Sequence, residues 1–193
     1  VAIAIAAIIA GTSIRAADDA GPPSAEEMMK AVAEVGSPGP EHAKLEPLVG
    51  NWTYSGKFWM DPSKPPMECS GTIERKWTLG GRFVEEKWSG KGLDGKSDFE
   101  GLGLVGYDNG RKIYTSTWAC NMGTGICTGT GGCDAAGKQF TFESESYCPI
   151  QKKMVKGRDV LRIESKDKIA AESYMMAGDK EVKIMELVAV RKK

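Results

Sequence analysis

Between Glu68 and Trp77 the chain alternates strictly: Cys69, Gly71, Ile73, Arg75 and Trp77 on one side, Glu68, Ser70, Thr72, Glu74 and Lys76 on the other. Successive side chains of an extended strand point to opposite faces, so the first set is the inner face of a half-buried strand, and it contains an arginine. Gly80-Gly81 reads as a hairpin turn, and pairing across it sets Trp77 against Val84, Arg75 against Glu86 and Ile73 against Trp88. An inward guanidinium facing an inward carboxylate has two uses. It can grip a ligand carboxylate with two parallel N–H donors. It can also be a structural pair that fixes strand register, or an arginine reaching for a rim. A buried charge without a partner costs several kcal/mol, so each residue needs the other or something equally polar.

The same face gathers aromatic rings. Trp52, Tyr54 and Phe58 alternate with Thr53, Ser55 and Lys57 on the strand before. Carried across Asn109-Gly110, the argument turns Phe99, Val105, Tyr107, Tyr114 and Trp118 inward, followed by Cys127, Gly129, Gly131, Cys133, Phe140 and Phe142. Tyr54, Phe58, Arg75, Glu86, Trp88, Tyr114 and Trp118 are therefore the candidate ligand-binding residues. Beyond residue 153 the faces do not separate, because Asp159 and Glu172 compete with apolar positions.

Other chemistries find little support. His42 is the only histidine, and a lone histidine on a capping helix reads as structural. No Ser-His-Asp ordering, phosphate-cradling loop or nucleophile elbow is present, so no catalytic residue is assigned. Cysteines 69, 120, 127, 133 and 148 contain no C-x-x-C pair, which argues against zinc, and nothing calls for a cofactor. In an oxidising compartment they permit one or two disulfides. Cys120 and Cys127, diagonal neighbours on adjacent strands, are the best-placed pair. Twenty-six basic residues balance twenty-six acidic ones with no dense basic stripe, which removes nucleic acid as a partner.

These residues need a scaffold, and 193 residues suit one domain with an amino-terminal appendage. Residues 1–10 form an uncharged apolar run of signal-peptide length, followed by small residues at Ala16-Ala17. The run is shorter than a bilayer span, so residues 1–16 read as a signal peptide, with an uncleaved anchor as the alternative. The expected location is secreted or periplasmic, with no transmembrane span in the mature chain. Residues 17–39 read as linker plus a short amphipathic helix, opened by a Ser24–Glu27 capping box and bearing Met28, Met29, Val32 and Val35 on one face. Pro40 starts a second short helix, and residues 40–193 form the barrel domain. From Trp52 onward the period is two. Ten strands are expected at about 51–60, 67–78, 82–90, 97–107, 111–120, 124–133, 138–148, 153–166, 168–177 and 180–191. Short turns and no intervening helices make this an all-β, single antiparallel up-and-down barrel.

Gly50-Asn51-Trp52 resembles the motif of the calycin group, the lipocalins and fatty-acid-binding proteins. There a first-strand tryptophan packs at the barrel base beneath an arginine from near the last strand; the resemblance gives Trp52 and Arg191 those structural roles. A longer pattern resembles the bacterial domain-of-unknown-function family 1579. It comprises His42-Ala43-Lys44-Leu45, Leu48 to Trp52, Leu79 to Phe83, Gly106-Tyr107-Asp108, Thr117-Trp118 and Met185-Glu186. Where that family often carries an acidic residue shortly after the tryptophan, this chain has Ala119-Cys120-Asn121. The resemblance implies an exported barrel and no established activity. The expected function is binding of a small, partly apolar or amphipathic molecule inside the barrel. The alternatives are a filled barrel serving as an envelope interaction module, or a small-molecule enzyme.

Overall fold

The computed structural model describes residues 22–61, 63–149 and 151–193. The apolar run of residues 1–10 and the cleavage site at Ala16 lie outside these. Two compact units divide at Val35/Gly36. In the first, helix α1 (Ala25–Gly36) opens on the expected capping box. The Glu27 amide donates to Ser24 Oγ at 3.2 Å, and the Glu27 carboxylate accepts from the Ser24 amide at 2.7 Å. Met28, Met29, Val32 and Val35 are all exposed.

The second unit, Gly36–Lys193, begins with helix α2 (Pro40–Ala43) and a 3-10 turn at Glu46–Leu48. Ten strands follow: β1 (Gly50–Phe58), β2 (Met67–Thr78), β3 (Phe83–Lys91), β4 (Asp98–Asp108), β5 (Ile113–Cys120), β6 (Cys127–Cys133), β7 (Gln139–Cys148), β8 (Lys153–Ser165), β9 (Lys168–Ala177) and β10 (Lys180–Arg191). Each pairs antiparallel with its sequence neighbours, and β1 pairs with β10 to close the barrel. The ten-stranded up-and-down barrel read from the sequence is the fold.

Register follows from the turns. The β2–β3 connection is a four-residue turn, Leu79–Arg82, rather than the two-residue turn expected. Leu79, Gly80 and Gly81 all take positive φ (48°, 66° and 80°). An even number of turn residues keeps the faces in phase, so Arg75 still pairs with Glu86 and Ile73 with Trp88. The turn after Asp108 behaves likewise, and Tyr107 meets Tyr114.

One end of the barrel is solid. Leu45 and Leu48, from the segment before β1, lie fully buried with Trp52, Ile73, Val84, Phe140, Ile169 and Ala189. The Trp52 indole N–H donates to the Leu48 carbonyl at 2.9 Å, and the Arg191 guanidinium lies 4.1 Å from the ring centroid. His42 belongs to this plug. It is buried, its Nδ1 accepts from the Gly39 amide at 3.1 Å, and its ring meets Tyr107 edge-on. Burial holds the His42 imidazole below the usual histidine range.

Strands β8–β10, whose faces could not be told apart by alternation, have register shifts between Ile163 and Ser165 and between Lys183 and Met185. Leu161 and Met185 pack against the core, whereas Glu172 belongs to the outward face. It is held there by Lys183 and by Arg162 Nη1 at 2.5 Å. These two partners, Lys183 first, lower the Glu172 pKa from 4.5 to about 2. A carboxyl so depressed stabilises the fold fully above its unfolded pKa of 4.5, and that contribution disappears as pH falls toward about 2. Urea unfolding of Glu172→Gln against wild type should show a stability gap that is constant near neutrality and closes on acidification through this window. A gap independent of pH would contradict the network.

Candidate functional site

Above the solid end, the inner wall changes character. Tyr54 from β1, Trp88 from β3 and Trp118 from β5 form a chain of rings, with Tyr54–Trp88 centroids 4.9 Å apart and Trp88–Trp118 edge-to-face at 5.5 Å. Phe99 from β4 stacks beside Trp118 at 6.5 Å. Trp88, Phe99, Trp118 and Phe58 are only half-buried, in contrast to Trp52. Two glycines make this wall possible. A Cβ at Gly101 would stand 2.3 Å from the Trp118 ring, and one at Gly103 would stand 2.7 Å from Glu86 Oε1. With only hydrogen at those positions, the indole and the carboxylate can lie against the backbone of β4.

Beneath the rings lies the charged pair. Arg75 Nε donates to Glu86 Oε2 at 2.8 Å, with side chains 4% and 14% exposed. The Arg75 guanidinium carbon sits 5.8 Å from the Trp88 ring centroid. Glu86 engages Nε and leaves Nη1 over. Arg75 Nη1 and Trp88 Nε1 are both buried and, among the described residues, have no hydrogen-bond partner. Each unmet buried donor costs about 1–3 kcal/mol.

The structure brings Tyr54, Phe58, Arg75, Glu86, Trp88 and Trp118 to the inner wall. Tyr114 lies on the same wall but at the solid end. That residue is buried at the solid end, its hydroxyl within hydrogen-bonding reach of the Glu41 carbonyl (2.9 Å) and carboxylate (2.8 Å). Tyr114 shares the inward face with Trp118 but stands one residue past the start of β5, at the plugged end. Burial, and then Glu41, hold its phenol protonated well above the usual range. Tyr54 is likewise pushed up to about 12 by burial, so both phenols are neutral donors or acceptors, not bases. Cys120 and Cys127 are the diagonal neighbours expected, since Cys127 pairs with Trp118. All five cysteines are free thiols. Burial raises Cys69, Cys127 and Cys133 above the usual thiol range. Among the described residues, no group of His, Cys, Asp and Glu converges to hold a metal ion.

One lumen residue escaped the sequence reading. Asp159 on β8 pairs with the inward Phe142 and accepts from Ser173 Oγ. Burial raises its carboxyl above the usual aspartate range against that hydrogen bond. The nearby cation, Arg158, is committed to Glu181 through two hydrogen bonds of 2.8 and 2.6 Å. The signal was present: Cys148 faces inward and pairs with Lys153, four residues of sequence intervening, an even count that carries the inward face on to Val155 and Asp159.

A closed antiparallel barrel, plugged at one end and lined by aromatic rings over an incompletely paired arginine, is the class that these features define. The chain belongs to the family described as "Protein of unknown function (DUF1579)", which matches residues 37–191. Among solved structures it is similar to Rv2717c from M. tuberculosis at 17% identity, covering 81% of this chain and 100% of that one with a TM-score of 0.61. A redesigned β-barrel aligns at 13% identity over 78% of this chain and 96% of its own, with a TM-score of 0.42. No curated protein matches the chain.

Proposed function

We propose that this protein binds a small, partly apolar molecule inside its barrel, through a hydrogen-bond acceptor on that molecule, with a carboxylate the best match. The observation that carries the reading is the pair of buried, unpartnered donors, Arg75 Nη1 and Trp88 Nε1, beneath half-buried aromatic rings. Apolar walls with a few convergent polar groups are the usual make-up of small-molecule sites. A carboxylate would complete both donors and place a second anion beside Arg75, opposite Glu86. The apolar run of residues 1–10 and the small residues at Ala16-Ala17 support a secreted or periplasmic setting.

Tryptophan fluorescence tests this, because Trp88 and Trp118 line the site. Phenylacetate should bind at least about 10-fold more tightly than its neutral counterpart phenylacetamide, the discrimination expected of a charged acceptor on a buried guanidinium. In the double variant Arg75→Met/Glu86→Gln that preference should vanish. Equal affinity for the two compounds, or for wild type and variant, would contradict the assignment.

A further inference from the structure

Strands β3 and β8 lie five steps apart in either direction around the ten-stranded barrel, so they face each other across the lumen. The levels also match. From Asp159 the pairing runs one way through Phe142, Gly131 and Tyr114 to Tyr107 on β4, which is next to Arg82 at the foot of β3. It runs the other way through Ser173, Met185 and Phe58 to Met67 on β2, whose register points to Asp94 beyond the top of β3. Strand tilt carries the two paths equally far in opposite senses, so the position on β3 level with Asp159 lies midway between them. That position is Trp88.

We infer that the ligand has two poles: an acceptor end held by Trp88 and Arg75, and a hydrogen-bond donor at the far end, a hydroxyl, held by Asp159 on the opposite wall. This rests on the lumen being the ligand site, and it narrows the ligand class to short hydroxylated acids with an aromatic or cyclic body. Asp159 has the chemistry for the second pole. It is an acceptor to which Ser173 donates, with the adjacent Arg158 tied to Glu181. A carboxylate has about four lone-pair sites, so Ser173 leaves most of its capacity unused. Ten strands about 4.8 Å apart and tilted roughly 40° close to a cylinder on the order of 20 Å across. A ligand that joins the two walls is one ring with a substituent at each end.

The test compares 4-hydroxyphenylacetate with 4-methylphenylacetate, which has a methyl where the other has a hydroxyl, by fluorescence titration or calorimetry. Wild type should prefer the hydroxyl compound by at least about 10-fold, as sites built around a substrate hydroxyl do. Asp159→Val should abolish or reverse the preference, and Asp159→Asn, a neutral acceptor, should reduce it to a few-fold. Ser173→Ala should keep it, because the carboxylate remains; a merely structural Asp159–Ser173 pair would respond to both changes alike. If phenylacetate binds in an Arg75-dependent way but the hydroxyl gives no advantage, the second pole is overturned and the first stands. If none of the three acids binds, both are overturned.

Discussion

Replacing Trp52 with alanine is expected to lower stability by about 3–5 kcal/mol, the cost of removing a fully buried large aromatic. The side chain is 0% exposed and sits where the plug, the first strand and the last strand meet. Its loss would open a cavity, strand the Leu48 carbonyl and remove the ring beneath Arg191. The last of these adds about 0.5–2 kcal/mol by itself. Arg191 is tied into the same unit by three further hydrogen bonds: to the Val49 carbonyl at 2.6 Å, to Pro47 at 3.0 Å and to Lys166 at 2.8 Å. The ring therefore organises both the plug and the β8–β9 turn. Trp52→Phe, which keeps most of the apolar volume but not the donor, should cost clearly less. Urea unfolding at constant m-value measures both, and an unmoved midpoint for Trp52→Ala would contradict the plug.

The second large effect concerns the charged pair. Arg75→Met should cost about 3–5 kcal/mol, because it leaves the Glu86 carboxylate buried without its cation. Adding Glu86→Gln should restore much of the loss, since a neutral amide beside methionine needs no counter-charge. The double-mutant cycle thus separates the penalty of stranding a charge from the worth of the pair. If the double variant regains stability but not affinity for phenylacetate, the pair has a binding use beyond holding β2 to β3. Additive single costs would mean that the two side chains do not depend on each other.

Much of this was legible in the sequence, for identifiable reasons. The strict alternation at 69–77 and turns of even length carried one face reliably from β1 to β7, so Arg75, Glu86, Trp88 and Trp118 were placed on the inner wall. The Trp52–Arg191 stack came from the family resemblance, because contacts between chain ends leave no local pattern. Height along the barrel was not legible. Alternation says which face a residue occupies, but not its level along the barrel, so it did not show that Tyr114 stands at the plug beside Glu41. Asp159 was missed because β8 to β10 carry charges on both faces. Val160, between Thr141 and Glu172, is buried although it points outward, which blurs the polarity on which the argument depends. The unpaired donors were beyond sequence altogether, since satisfaction of Arg75 Nη1 and Trp88 Nε1 depends on distances of tenths of an ångström.

Native mass spectrometry of the protein purified from its own source tests whether the lumen holds a small molecule at Arg75 and Trp88. The spectrum should show the chain carrying one added small mass, released on denaturation. The same preparation of Arg75→Met/Glu86→Gln should be folded and carry none. A bare chain mass for the wild-type protein, together with a crystal structure in which ordered waters satisfy both donors, would contradict it.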